Sequence, residues 1–229
     1  MAQQKAEDAK KTKMEPRLYL FTIDMNMGEQ RGIDLPGTAK KVQALLGGYS
    51  SSSKCVHKFK VTGEAKIVAV FAVSNIIGLE RMVAGLAKLG NIDVTCKSLK
   101  PYEKFAEMLK VDGELTKPST NSISKDKCLH WLDITINYPG KSTDELLKIW
   151  TKEATAALEA RVKGGVHLEL FKVVGERKVH LFIVMEPDEL DGLTWNLPIV
   201  TENGSGVTTI TKAVQCLDDY ASRVSTEKL

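Results

Sequence analysis

The stretch FKVTGEAKI (residues 59–67) recurs as FKVVGERKV (residues 171–179), an offset of 112 residues (171 minus 59), and the two copies differ at only three positions. TIDMN at residues 22–26 also matches DITIN at 133–137, and VTCK at 94–97 matches TITK at 209–212. The matches keep one order along the chain, and their small differences in offset are those that loops of unequal length would produce. Collinear self-similarity of this kind is typical of a duplicated unit. The sequence therefore predicts two tandem copies of one unit.

Both halves show the same succession of strand and helix patterns. In the first half, strands are predicted at residues 18–25, 54–61, 66–73 and 92–97, helices at about 37–46 and 77–89, and a short helix after Pro101. In the second half, strands are predicted at 129–137, 167–174, 178–185 and 207–211, and helices from Ser142, at about 188–197 and over 214–224. The order β-α-β-β-α-β is that of the ferredoxin-like fold.

The predicted fold class is α+β, with two tandem ferredoxin-like β-α-β-β-α-β repeats whose antiparallel sheets pack face to face as an intramolecular α+β barrel. Two equal halves on one chain can cover each other's apolar sheet faces in this way. The expected domains are a disordered tail at residues 1–16, a first repeat at 17–110, a linker at 111–127 and a second repeat at 128–224. The tail is polar and Lys-rich, and the linker is rich in Ser, Thr, Lys and Pro.

Composition excludes several classes of function. The formal net charge is only +3, with four lysines in the N-terminal tail, so no basic face for nucleic acid is expected. No apolar leader follows Met1 and no apolar run approaches the ~20 residues that span a bilayer, so a cytoplasmic protein that does not enter the membrane is expected. The four cysteines form no CxxC pair, which favours free thiols. A homo-oligomer is compatible with these features.

The second half resembles muconolactone isomerase and, more broadly, the dimeric α+β barrel superfamily. The resemblance rests on Leu129–Val214, and includes Glu153 with Ala157-Leu158, the glycine pair 164–165, LFKVVG at 170–175, DEL at 188–190, LPI at 197–199 and VTTI at 207–210. It implies a pocket between sheet and helices that takes small, hydrophobic, ring-containing molecules. Members include isomerases, cyclases, cofactor-free monooxygenases, haem enzymes and proteins without known catalysis, so the fold does not fix the function.

Alternation in the first strand of each half places polar side chains on one face. Asp24 in the first half and Asp133 in the second share that face with apolar residues. Two interpretations follow from the need to pair buried polar groups. Either the aspartates line a wet pocket or the barrel lumen, or they bond the backbone or a lysine across the barrel.

Histidine is the usual acid–base group at neutral pH, and three of the four histidines lie in the second half. The candidate catalytic residues are His167, His180, Glu169 and Asp133, because a His–Glu pair across neighbouring strands suits proton transfer. The alternative is an ordinary cross-strand or solvent-facing polar pair. The candidate substrate-binding residues, which are mainly aromatic and could equally belong to the core, are Trp131, Thr135, Trp150, Phe171, Phe182 and Trp195.

Two classes of function remain open. The first is a small-molecule enzyme, an isomerase, cyclase or lyase that moves a proton on a small apolar or ring-containing substrate in the second repeat. The second is a non-catalytic small-ligand binder or a structural or assembly protein on the same fold. No metal and no cofactor are expected, since HxH, HExxH and CxxC spacings do not occur. Haem held through one histidine stays open.

Overall fold

The structure, a computed structural model, describes residues 15–26, 34–118, 123 and 128–226. In these ranges the chain forms, in order, β1 (Arg17–Met25), α1 (Leu35–Gly47), β2 (Ser53–Val61), β3 (Lys66–Val73), α2 (Ile76–Ala87), β4 (Ile92–Pro101), α3 (Tyr102–Met108), β5 (Leu129–Ile136), α4 (Thr143–Val162), β6 (Leu168–Val173), β7 (Lys178–Val184), α5 (Pro187–Asn196), α6 (Pro198–Asn203), β8 (Val207–Cys216) and α7 (Leu217–Thr226). Most of the predicted tail and residues 119–122 and 124–127 of the predicted linker lie outside the described residues. No described helix has the length and apolar content needed to cross a membrane.

The eight strands form one closed antiparallel barrel in the order β1-β3-β2-β8-β5-β7-β6-β4. The predicted mixed fold with an antiparallel barrel is confirmed. Each half supplies four neighbouring strands, β4-β1-β3-β2 and β8-β5-β7-β6. The two sets meet at two seams, where β2 pairs with β8 and β4 pairs with β6.

The seams lengthen two strands beyond their predicted ends. Strands predicted at 92–97 and 207–211 continue to Pro101 and Cys216, so the last helix begins at residue 217 and not at 214. The added residues 99–101 pair with 171–173, and 214–216 pair with 59–61. These partners lie in the opposite half, so the pattern within one half does not show where the strand ends.

Alternating strand residues divide the molecule into three apolar cores. Inside the barrel, which we call the lumen, aromatic and aliphatic side chains of both halves pack together, among them Leu20, Phe59, Trp131, Phe171 and Phe182. Outside it, one core lies between the first sheet and α1 and α2, and the other lies between the second sheet and α4 to α6. The helices therefore cover the outer faces of the two sheets.

The beginning of the predicted linker packs against the second half. Val111 and Leu115 are buried in the second outer core, and Ile123 is buried in the lumen. Arg161 of α4 pairs with Glu103 and donates to the Lys117 carbonyl at 3.3 Å. The segment after α3 is thus tied to the second sheet layer, while the division into two domains stays a prediction.

Helix α4 begins with the capping box that its sequence indicates. The Ser142 hydroxyl accepts from Glu145 N at 3.2 Å, and the Glu145 carboxylate accepts from Ser142 N at 2.7 Å. These bonds satisfy two backbone N–H groups that a helix start otherwise leaves to solvent. The cap fixes the start of the helix that forms one wall of the cavity described below.

Ser142→Ala is expected to lower the free energy of unfolding by about 1 kcal/mol, because it removes the side-chain acceptor at the N-cap. Urea unfolding monitored by circular dichroism measures the loss. Ser222→Ala, at an exposed position within α7, is the control and should leave stability within about 0.5 kcal/mol of the original chain. Equal stability of the two variants would show that the cap contributes nothing.

Candidate functional site

The second outer core contains a cavity of about 180 Å³ between the sheet and helices α4, α5 and α6. Its floor consists of aliphatic strand side chains such as Leu132 and Leu181, and one wall consists of Ala156, Ala157 and Ala160 on α4. The walls are predominantly apolar. A concave apolar space with a few polar groups is the usual setting of a small-molecule site.

Side-chain sizes at matching strand positions differ between the two outer cores. In the first half, Phe21 and Phe71 pack edge to face outside the sheet, with ring centroids 5.5 Å apart. The sequence match places the smaller Leu132 and Ile183 at the corresponding positions. The same match places the larger Leu181 where the first half has Ala69. Protein cores are close-packed, so the alanine face of α4 opposite the sheet is the feature that leaves volume unfilled.

Glu153 is the carboxyl group among the described residues that line this cavity. It lies on α4, is 9% exposed, and its Oε2 accepts a hydrogen bond from Ile199 N at 3.0 Å. Burial raises the pKa of this carboxyl, and the hydrogen bond from Ile199 opposes part of that rise. The result is a carboxyl that exchanges its proton closer to neutral pH than a solvated glutamate does.

Tyr102 and Trp150 contribute two further polar groups to the cavity lining, a phenol hydroxyl and an indole N–H. The indole Nε1 of Trp150 donates to the Tyr102 hydroxyl oxygen at 3.2 Å. Tyr102 belongs to α3, at the end of the first half, and Phe105 of the same helix packs on Trp150 with ring centroids 4.9 Å apart. Burial, followed by the negative charge of Glu153, raises the pKa of Tyr102, which keeps the phenol protonated. The first half therefore contributes to the cavity of the second.

Sequence reasoning missed Glu153 and Tyr102 as site residues. Glu153 entered only through the family resemblance, although a carboxyl on the buried stripe of an amphipathic helix could have been detected from its spacing to Trp150 and Ala157. Tyr102 carries no such signal, because its role depends on how α3 crosses to the other half.

The predicted aromatic walls divide between two compartments. Trp150 lines the cavity. Trp131, Phe171 and Phe182 point into the lumen. Thr135 is half-buried on the lumen face of β5, and Trp195 is 69% exposed. The structure therefore does not bring these six residues together in one place.

Among the predicted catalytic residues, His180 and Asp133 are cross-strand neighbours in the lumen. His180 Nδ1 accepts from Trp131 Nε1 at 3.3 Å, and its Nε2 is buried without a partner among the described residues. Burial lowers the pKa of His180 to about 4, so the imidazole is neutral near pH 7. Asp133 pairs with Lys178 at 2.9 Å.

Asp24 has a matching arrangement, since it pairs with Lys66 at 3.1 Å. Both aspartates lie on the lumen face and each bonds a lysine of the neighbouring strand. The position on the lumen face agrees with the first interpretation, and the pairing with a lysine agrees with the second, except that each lysine lies on the adjacent strand and not across the barrel.

Glu169, the third predicted catalytic residue, contacts His57 of the first half, with Oε2 and Nε2 2.6 Å apart. His57 lies on the lumen face with Phe59, two residues further along β2, and contacts Phe171 and Phe182. The register shift between Cys55 and His57, a β-bulge at Val56, places Cys55 against the outer core of the first half. The fourth, His167, is exposed before β6. The four residues do not share one site, and their catalytic role stays a prediction.

The residues that line the cavity do not fit haem. An axial ligand is a histidine, a cysteine thiolate, a methionine or a tyrosinate. All four histidines and all four cysteines are described, and none lines the cavity. Tyr102 is held as a neutral phenol that already accepts from Trp150. Met185 remains, but methionine serves as an axial ligand together with a histidine, which the lining lacks.

Metal and thiol chemistry find little support elsewhere in the described chain. No cluster of three or more His, Cys, Asp or Glu side chains within these residues could hold a metal ion. All four cysteines are free. Burial raises the pKa of the Cys55 thiol to about 11, which disfavours the nucleophilic thiolate.

Comparison with solved structures identifies the fold. A chlorite dismutase variant from Candidatus Nitrospira defluvii superposes with a TM-score of 0.60 at 13% identity, covering 93% of this chain and 97% of that chain. The same enzyme in complex with imidazole gives a TM-score of 0.57 at 13% identity, with the same coverage of both chains.

No protein-family model matches the sequence, and no curated protein matches it. The particular resemblance to muconolactone isomerase is not shown by these matches. At 13% identity the likeness concerns the fold. The chain therefore shares its fold, a closed antiparallel barrel with helices outside it, with the chlorite dismutases over nearly its whole length.

Proposed function

We propose that the chain is a small-molecule enzyme whose site is the cavity of the second half. In this proposal Glu153 gives a proton to, or takes one from, a small apolar or ring-containing substrate. The observation that carries the proposal is a single carboxyl group, among the described lining residues, in an otherwise apolar cavity. The reaction class is that of an isomerase, cyclase or lyase, which needs only proton transfer.

The surroundings of Glu153 suit this chemistry. A general acid or base works best when its pKa lies near the operating pH, and burial moves the pKa of Glu153 in that direction. An apolar wall also strengthens the interaction of the carboxylate with a C–H or O–H bond of a substrate, because it excludes water. The hydrogen bond from Ile199 N holds Oε2 in a fixed place.

Base-promoted ring opening of 5-nitrobenzisoxazole tests the proton-transfer role, since it needs only a base next to an apolar aromatic site. We expect the chain to accelerate the reaction, and the rate to rise with pH as Glu153 loses its proton. Glu153→Gln should lower the rate by about a hundredfold or more, because the amide is not a base. Stopped-flow absorbance of the phenolate product measures it.

The matched control is Glu189→Gln, an exposed glutamate on α5 that does not line the cavity. It should keep the full rate. If Glu153→Gln also keeps the full rate, Glu153 is not the base and the proposal fails.

A non-catalytic binder is the second candidate, and one contact favours it. Glu153 Oε2 already accepts from Ile199 N, so the carboxyl also serves to fix the start of α6. A binder would take up 5-nitrobenzisoxazole in the cavity, detectable by calorimetry, without accelerating its ring opening. An enzyme would do both.

We also infer that the two halves are copies of one unit. Support comes from contacts that recur at the predicted offset. Lys60 Nζ donates to the carbonyls of Val61 and Glu64, and Lys172 Nζ donates to those of Val173 and Glu176. Across the seams, Lys97 pairs with Glu176 and Lys212 pairs with Glu64.

A further inference from the structure

The hydroxyl group of Tyr102 has a proton that it donates to none of the described residues. An indole N–H is a donor only, so Trp150 Nε1 donates and the Tyr102 oxygen accepts. The phenolic proton is then free to be donated. Within the described part of the chain no hydrogen bond from it is found, to Glu153 or to any other acceptor.

This unused donor is in an unusual place. Tyr102 is 1% exposed, so bulk water does not reach its hydroxyl readily. The ring lines the cavity among predominantly apolar side chains. A buried polar group without its partner is costly, and such groups in native proteins are commonly satisfied by a water molecule or a ligand. Burial and, after it, the negative charge of Glu153 raise the pKa of Tyr102 and keep the proton on the phenol.

We propose that the molecule bound in the cavity is a small apolar ring compound with a carbonyl oxygen, which accepts a hydrogen bond from the Tyr102 hydroxyl. A carbonyl is an acceptor without a proton of its own, so it matches a group that has only a proton left to give. The apolar rest of the ligand matches the aliphatic floor and the alanine wall. This proposal rests on the proposed function, since it names the substrate class of the same site.

The position of Tyr102 makes ligand recognition in the second half depend on the first half. The residue comes from α3 at the end of the first half, and the Phe105–Trp150 contact seats that helix on α4. Selection for a carbonyl compound in the second half thus depends on a residue that the first half supplies. The two halves are unequal in role, because the second half contains the cavity and the first half supplies the Tyr102 hydroxyl to its lining.

The ligand pair 1-indanone and indane tests the proposal, since the two differ by one carbonyl group. Titration calorimetry on the full chain gives the dissociation constants of both. We expect Tyr102→Phe to weaken the binding of 1-indanone relative to that of indane by about fivefold to tenfold in the dissociation constant, the effect of one net hydrogen bond. The control, Tyr49→Phe, removes a hydroxyl that bonds the Arg81 carbonyl outside the cavity and should leave the ratio unchanged.

The outcomes separate this proposal from the proposed function. If both ligands bind and their ratio is the same in Tyr102→Phe, the carbonyl assignment is overturned while the cavity site stands. If neither ligand binds the original chain up to its solubility limit, the proposed site and the carbonyl assignment fail together.

A second measurement needs no variant and so does not depend on how Tyr102→Phe folds. The infrared carbonyl stretch of bound 1-indanone should lie at lower frequency than in hexane, because a hydrogen bond weakens the C=O bond. An unshifted stretch would contradict the proposal.

Discussion

Replacing Phe182 by alanine is expected to lower the free energy of unfolding by about 3–5 kcal/mol. The side chain is fully buried in the lumen, where its ring centroid lies 5.2 Å from that of Phe59 and 6.2 Å from that of Phe171. These two partners come from opposite halves, so the truncation opens a cavity where the two sheets meet. Urea unfolding at neutral pH, monitored by circular dichroism, measures the loss.

Trp195→Ala is the matched control. Sequence reasoning places Phe182 and Trp195 in the same pocket wall, but Trp195 is 69% exposed on α5. Its replacement should change stability by no more than about 0.5 kcal/mol. A small loss in the free energy of unfolding for Phe182→Ala would mean that the lumen is not a close-packed core.

The second large effect is a loss of stability in acid that depends on His180. The pKa of this histidine is lowered to about 4, chiefly by burial; the charges of Asp133 and Glu176 oppose this shift, and the charges of Lys178 and Lys97 add to it. An unfolded histidine has a pKa of about 6.5. Between about pH 6.5 and 4 the unfolded chain therefore binds a proton that the folded chain does not.

Stability should consequently fall as the pH falls through this window, by about 3 kcal/mol at its lower end, given ~1.4 kcal/mol per unit of pKa difference. His180→Gln should flatten this part of the profile, because glutamine does not titrate. Urea unfolding at a series of pH values from 7 to 4 measures the slope. The exposed His167→Gln should retain it.

Glu153 contributes a slope of the opposite sign, since its pKa is raised in the folded chain. That contribution is common to the original chain and the His180→Gln variant, so it cancels in their difference. A profile that is equally steep in both would show that His180 is not the buried neutral group that its contacts indicate.

The order of strands and helices could be predicted from the sequence because each element carries its own local pattern. The turn Thr62-Gly63-Glu64 between β2 and β3 and the capping box at Ser142 are signals of this kind. The ends of β4 and β8 could not be predicted, because their last residues pair with strands of the other half. The inward position of His57 follows from alternation with Phe59, but the outward position of Cys55 depends on a bulge at Val56 that the alternation does not show.

The site was harder to predict for a geometric reason. Successive strand residues point to opposite faces, so Trp131, Phe171 and Phe182 belong to a different compartment from Trp150, which projects from a helix. Alternation tells which residues share a face, but only the placement of the helices tells which face surrounds the cavity. The pairing of the two aspartates with lysines could be predicted, because a partly buried carboxylate without a partner is costly, but the lysines lie on the adjacent strand and not across the barrel.

A crystal of the full chain soaked with bromobenzene shows whether the cavity of the second half binds a small apolar ring, because the anomalous signal of bromine locates the bound molecule without any assumption about the reaction. We expect a bromine peak between α4 and the second sheet, in van der Waals contact with Leu132 and Ala157 and close to Glu153. A peak confined to the lumen, or an empty cavity in a crystal that survives a saturating soak, would contradict it.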